Sequence, residues 1–200
     1  MNDQVQSKIN SLYDKVAARL FPILKADLPP KIKLKTLRAI SRTKIPASRQ
    51  VVFEQFAQFS DEEDAIRAVG ELGGEDAAQA LIARVRQPHG DNRDVMAEQL
   101  GRFKYPFVRE CLTELLGDPD RHVRYQAVFS LFSFGGRDAA LALCRYISDP
   151  DEWISMNILK ILCRMKEHES IPFLADQFAK DQDLRRKAQI LDRGASRLSE

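Results

Sequence analysis

Asp118 and Asp120 stand two residues apart, and Asp149 and Asp151 repeat the arrangement. Paired carboxylates can divide acid and base roles in hydrolysis. The chain also holds three histidines, His89, His122 and His168, and three cysteines, Cys111, Cys144 and Cys163. These are the side chains that serve as base, nucleophile or metal ligand. Their surroundings argue for simpler roles. Each Asp pair brackets a proline just ahead of a helical pattern, which is the setting of a helix cap. His89 and His122 fall in turns and His168 follows a helix end. None stands beside a Cys or Ser that it could activate. No CxxC or Cys/His spacing suggests zinc. Gly73-Gly74 and Gly135-Gly136 read as helix ends, not as a phosphate loop. The expectation is a non-enzyme without metal or cofactor.

A different chemistry is offered by Tyr125 and Phe129, four residues apart and so on one helix face. They belong to the stretch Asp118–Gly136, DPDRHVRYQAVFSLFSFGG. Val123, Ala127, Leu131 and Phe134 form its core stripe. Asp118 or Asp120 caps its start, and Gly135-Gly136 closes it. Tyr125, Gln126, Phe129 and Ser133 lie on another face. Aromatic rings there act as binding anchors, because they desolvate a large area with little loss of entropy. The plainer alternative is that Phe129 packs between neighbouring helices.

The 200 residues, 44% of them hydrophobic, are enough to bury a core. A net charge of +2 does not describe a general nucleic-acid binder. The charge is uneven, however. Residues 1–50 carry eleven Lys or Arg against three Asp or Glu, and residues 51–100 carry four against eleven. Three scattered cysteines make no disulfide framework and fit a reducing compartment. The polar start MNDQVQSKIN lacks the apolar core of a leader, and no run is long enough to span a bilayer. The expected location is cytoplasmic.

Helices are expected over 4–26, with Pro22 inside, over Lys31–Arg42 and over Ala47–Phe59. A basic N-terminal helical unit of residues 1–46 should precede an array over 47–200. Ser60 and Glu63 have capping-box spacing ahead of a helix that ends at Gly73-Gly74. From there a constant offset appears. Leu81, Leu112, Leu143 and Leu174 are 31 residues apart, as are Val85, Leu116, Ile147 and Phe178. The same offset links Ala65, Met96, Ala127 and Ile158, then Val69, Leu100, Leu131 and Leu162, and then Leu72, Phe103, Phe134 and Met165. Spacings of four and three within each set describe the core face of a repeated helical hairpin. The linkers at 87–91, 117–120 and 148–151 occupy equivalent places, and one more helix is expected over 181–193.

These residues resemble HEAT repeats, in particular the short HEAT-like type also found in phycobilin lyases. ALALCRYISDPDEW and CLTELLGDPDRHVRYQAVFSLFSFGG match best, and the resemblance spans roughly residues 60–180. Arg93 and Arg124 match the family's arginine near the start of the second helix. Glu62 and Ser155 depart from it and interrupt an Asp/Arg ladder. Pro172 matches a proline often seen early in the first helix. The resemblance implies an all-α solenoid of about four to six hairpins of about 31 residues. It also implies a concave face lined by the second helices. The positions it would expose are Glu63, Asp64, Arg67 and Glu71, then Asp94, Val95, Glu98 and Arg102. Tyr125, Gln126, Phe129 and Ser133 follow, and last come Met156, Asn157, Lys160 and Arg164. Arg185, Arg186 and Lys187 would extend the basic end.

A protein or peptide partner in that groove is the function the pattern favours, as for a scaffold or adaptor. The alternatives are an enzyme on the same scaffold, bilin lyase-like or DNA glycosylase-like, or binding of nucleic acid or an anionic surface through Lys31, Lys33, Lys35, Arg38 and Arg42. That basic helix contains no aromatic residue on which a base could stack. The plainer readings are a solvated helix face or a mate for the acidic segment 61–76. Trp153, the only tryptophan, could stack on a base or a partner, but a Trp at such a helix start is expected to cover the turn beside it.

Overall fold

A computed structural model of the chain describes residues 3–26, 28–43, 46–87, 90–165, 171–180 and 182–183. Among these there are eleven helices and no strand. They are α1 (Asp3–Lys25), α2 (Pro30–Arg42), α3 (Pro46–Gln58), α4 (Glu63–Leu72), α5 (Glu75–Val85) and α6 (Arg93–Leu100). After them come α7 (Pro106–Leu115), α8 (Arg121–Phe134), α9 (Gly136–Arg145), α10 (Glu152–Met165) and α11 (Ile171–Lys180). None of them is long and apolar enough to cross a membrane. Most of the helix expected over 181–193 lies outside the described residues, as do His89, His168, Arg185, Arg186 and Lys187.

Local chemistry sets the helix ends. Pro30 and Pro106 open α2 and α7, where a missing N–H costs nothing. Gly73 and Gly135, at φ of 70° and 74°, close α4 and α8 in a backbone region that side chains disfavour. The expected capping box at Ser60–Glu63 does not form. Glu62 is the N-cap of α4 and makes no side-chain cap bond. The Ser60 hydroxyl instead accepts from Nε of Arg84 at 3.0 Å, so a cation from α5 takes the group a helix start would have used.

The chain divides into two compact units, with the boundary between Gln99 and Leu100 inside α6. In the first unit α1 packs on α2, α2 on α3 and α4, and α4 on α3 and α5. The N-terminal helices therefore stack on the first repeat. Leu34, Leu37 and Ile40 of α2 are buried, as are Ala65, Ile66 and Val69 of α4. In the second unit α8 packs on α7, α9 and α10, and α9 touches α7, α10 and α11. Within the second unit the second helices α8 and α10 thus lie side by side, and the first helices α7, α9 and α11 follow one another, as in a HEAT-like solenoid.

The 31-residue register is carried into the core. Leu81, Leu112 and Leu143 are fully buried, as are Met96 and Ala127 and, among the aliphatic pairs, Leu100 and Leu131. Burial weakens toward the end, where Leu174 and Phe178 are only half-buried. Phe134 also departs from its column. It is half-buried, with Lys104 at 5.3 Å and Arg109 at 5.9 Å from its ring. A smaller column marks close packing: a Cβ at Gly70 would meet the Gln99 side chain, and one at Gly101 would lie 3.0 Å from the Ser130 Cα. Thirty-one residues on, the equivalent position is Phe132.

Candidate interaction site

The two Asp-Pro-Asp turns place the second unit's polar groups. In each, the first Asp accepts from the backbone N–H of the second, Asp118 from Asp120 at 2.9 Å and Asp149 from Asp151 at 2.8 Å. The second Asp caps the helix. Asp120 accepts from the N–H of His122 at 2.8 Å, and Asp151 from those of Trp153 and Ile154 at 3.0 and 3.3 Å. All four carboxylates are occupied by backbone donors, which suits turns and helix starts rather than proton transfer.

Arg124 shows how the family-type arginine is used. Arg124 makes two bonds to Asp149, at 2.8 and 3.1 Å, and donates to the carbonyls of Asp118 and Pro119. Only 12% of its side chain and 3% of that of Asp149 are exposed. Arg93 reaches back to the Val85 carbonyl at 2.9 Å, and Ser155, in the same register, reaches the Ile147 carbonyl at 2.6 Å. The serine that departs from the pattern thus keeps the bond to the end of the preceding helix and gives up the reach to a carboxylate.

Between the starts of α8 and α10 lies a cleft of about 400 Å³, lined by Arg121, His122, Tyr125, Asp151, Trp153 and Ile154. Tyr125 and Trp153 are its aromatic lining. The Tyr125 ring lies 4.6 Å from Phe129 and 4.4 Å from Trp153, centre to centre. Arg121 spans the mouth to Asp151 at 3.3 Å. Trp153 does not cover its turn as expected. It is 56% exposed, because Asp151 fixes its backbone at the second position of α10 and its ring lies against Tyr125 instead. That side chain was missing from the expected site. Its register equivalent His122, also exposed, was the only hint that this position points outward.

The other expected residues sort by unit. In the second unit, Tyr125, Gln126 and Phe129 are half-buried and Ser133 is exposed. Asn157 donates to the Trp153 carbonyl at 2.8 Å, and Lys160 and Arg164 are exposed further along α10. Arg164 lies 5.4 Å over the Phe132 ring. Arg102 is exposed beyond the end of α6. None of Arg102, Lys160 and Arg164 has a carboxylate partner among the described residues.

In the first unit the expected face is occupied by its own ion pairs. Arg67 binds Glu98 through two bonds of 2.7 and 3.0 Å, and Glu63 at 2.7 Å. The Glu98 hydrogen bond, above all, raises the pKa of Arg67 against the effect of burial. Asp94 is half-buried. Val95, expected to be exposed, is buried at 8%, as its apolar side chain favours. Glu71 accepts from Ser41, Arg38 and Arg42. Arg38 also reaches Asp64 at 3.0 Å. The basic helix and the acidic segment are therefore mates, while Lys31, Lys33 and Lys35 carry no ion pair among the described residues.

The thiols are placed unequally. Cys111 and Cys144 are buried, and burial pushes the Cys144 thiol up to about 11. Cys163 is exposed on α10. Among the described residues no three His, Cys, Asp or Glu side chains cluster as a metal site.

No curated protein matches the chain. Residues 112–192 match the family model for HEAT repeats. That segment begins in α7 and contains the Asp-Pro-Asp turns and the aromatic cleft, and its similarity to HEAT repeats supports a HEAT-like repeat family for the chain.

Proposed function

We propose that the chain is a non-enzymatic interaction module, a scaffold or adaptor, that binds a protein or peptide partner. The anchor is the Tyr125–Phe129–Trp153 cluster. One observation carries this reading: the single tryptophan is held more than half exposed against a second ring, at the edge of a cleft. Leaving so large an apolar surface in water is unfavourable, and a partner that covers it gains that area. The commitment of the turn carboxylates to backbone donors supports a binding role over a catalytic one.

The test compares partners co-purified from native cells by the wild type and by Tyr125→Ala/Phe129→Ala. Loss of the specific partners, with the fold retained by circular dichroism, is expected. Unchanged partners and affinities would remove the aromatic cluster from consideration. The reading through the basic N-terminal helix is weakened, since Arg38 and Arg42 are engaged with Asp64 and Glu71.

A further inference from the structure

Trp153, Asn157, Lys160 and Arg164 are spaced four, three and four apart on α10. This makes one stripe along a single helix face. The stripe starts at an exposed aromatic and ends at two exposed cations without carboxylate partners among the described residues. Alongside it, α8 supplies Tyr125 against Trp153 at one end and Phe132 under Arg164 at the other. The seam therefore has a direction: a ring-lined cleft at the helix starts, and positive charge toward the helix ends.

From this we infer that the seam recognises an acidic peptide carrying an apolar or aromatic anchor, with its acidic residues at a set distance to one side. The inference rests on the interaction role proposed above and specifies the partner's chemistry. At about 1.5 Å of rise per residue, Lys160 lies roughly 10 Å and Arg164 roughly 16 Å along the helix from Trp153. An extended peptide advances about 3.3 Å per residue. The acidic side chains thus belong about three and five positions from the anchor. A nucleic-acid strand fits the same seam less well. At the cleft end Asp151 would meet a continuous phosphate backbone as like charge, and Arg121 beside it is already paired with that carboxylate. A peptide can place its charges at one end only.

A display library of random peptides about twelve residues long, selected on the full chain, tests this. The enriched sequences are expected to pair an aromatic or bulky apolar residue with Asp or Glu about three to five positions away. Binding of a synthetic enriched peptide, followed by Trp153 fluorescence, should weaken on the order of tenfold in Lys160→Glu/Arg164→Glu. Selection on that variant should favour basic peptides instead, and selection on Trp153→Ala should lose the anchor. Peptides enriched without acidic bias, or binding unchanged by the charge reversal, would overturn the inference while leaving the aromatic anchor standing. No enrichment by the wild type, or binding only of a short oligothymidylate run in parallel, would overturn both.

Discussion

In the first unit, Arg38 reaches from α2 to Asp64 and Glu71 of α4, and Arg67 reaches from α4 to Glu98 of α6. At the corresponding seam of the second unit, Tyr125 of α8 lies against Trp153 of α10, and Arg164 of α10 lies over Phe132 of α8. The two seams occupy the same place in the repeat and are joined by different chemistry. Partly exposed ion pairs contribute about 0–1 kcal/mol each, and they neutralise the charge an outside partner would read. Ring contacts add about 0.5–1.5 kcal/mol beyond the area they bury, and an exposed ring keeps a surface for a ligand. A seam that satisfies itself is structural. A seam that leaves a tryptophan and two cations in water is equipped to bind.

The contrast also holds for charge placement, and there it reverses. A deeply buried ion pair, Arg124–Asp149, is in the second unit and away from the stripe. Arg124→Ala should cost about 3–5 kcal/mol, because Asp149 would be left buried without its partner. Arg67→Ala in the first unit should cost about 1 kcal/mol or less, since Glu98 can turn to water. Urea denaturation of both variants measures the difference, and equal costs would erase the distinction between a buried clamp and a surface seam.

Core positions should not distinguish the units. Leu81→Ala and Leu143→Ala remove equivalent, fully buried side chains, and each should cost about 2–5 kcal/mol by the same measurement. A large disparity would show that the repeat register is not an energetic register.

Close helix packing should separate them again, more weakly. Gly101→Ala should cost about 1–3 kcal/mol, because the new methyl presses on the Ser130 backbone. Gly70→Ala, which meets only the side chain of Gln99, should cost less. Thermal melts rank the two.

The smallest effect is pH dependence in the first unit. Burial alone would raise the Glu71 pKa, but hydrogen bonds from Arg42 and Ser41 outweigh it, and the value falls below the ordinary 4.5. The Arg49 hydrogen bond likewise lowers Asp76. A depressed folded-state pKa contributes stability above the unfolded value, and this is lost as pH falls through the folded one. Stability should therefore decline as pH drops below 4.5, and Glu71→Gln/Asp76→Asn should flatten that decline in urea midpoints measured across the acid range. An unchanged slope would mean that these pairs do not couple to folding.

Much of the architecture was legible in the sequence. The 31-residue offset, the helix-ending glycines and the Asp-Pro-Asp turns are local patterns, and each depends on backbone geometry that neighbouring residues set for themselves. Ser60 shows where local reading stops: its spacing suits a cap, but Arg84 of another helix claims its hydroxyl. Trp153 shows the same for the site. Residue type predicts a covered ring, and only its place beside Tyr125 leaves it exposed.

The sequence by itself determined the repeat and its core columns, because periodicity survives without coordinates, and its charge asymmetry offered the basic helix as one mate for the acidic segment without stating that they meet. The tertiary structure alone decided which charges are spent and which remain available. Arg67 and Glu98 became partners, while Lys160 and Arg164 kept no carboxylate among the described residues. Whether an ion pair forms depends on two side chains from different helices meeting within a few ångströms, and no spacing along one chain segment states that distance.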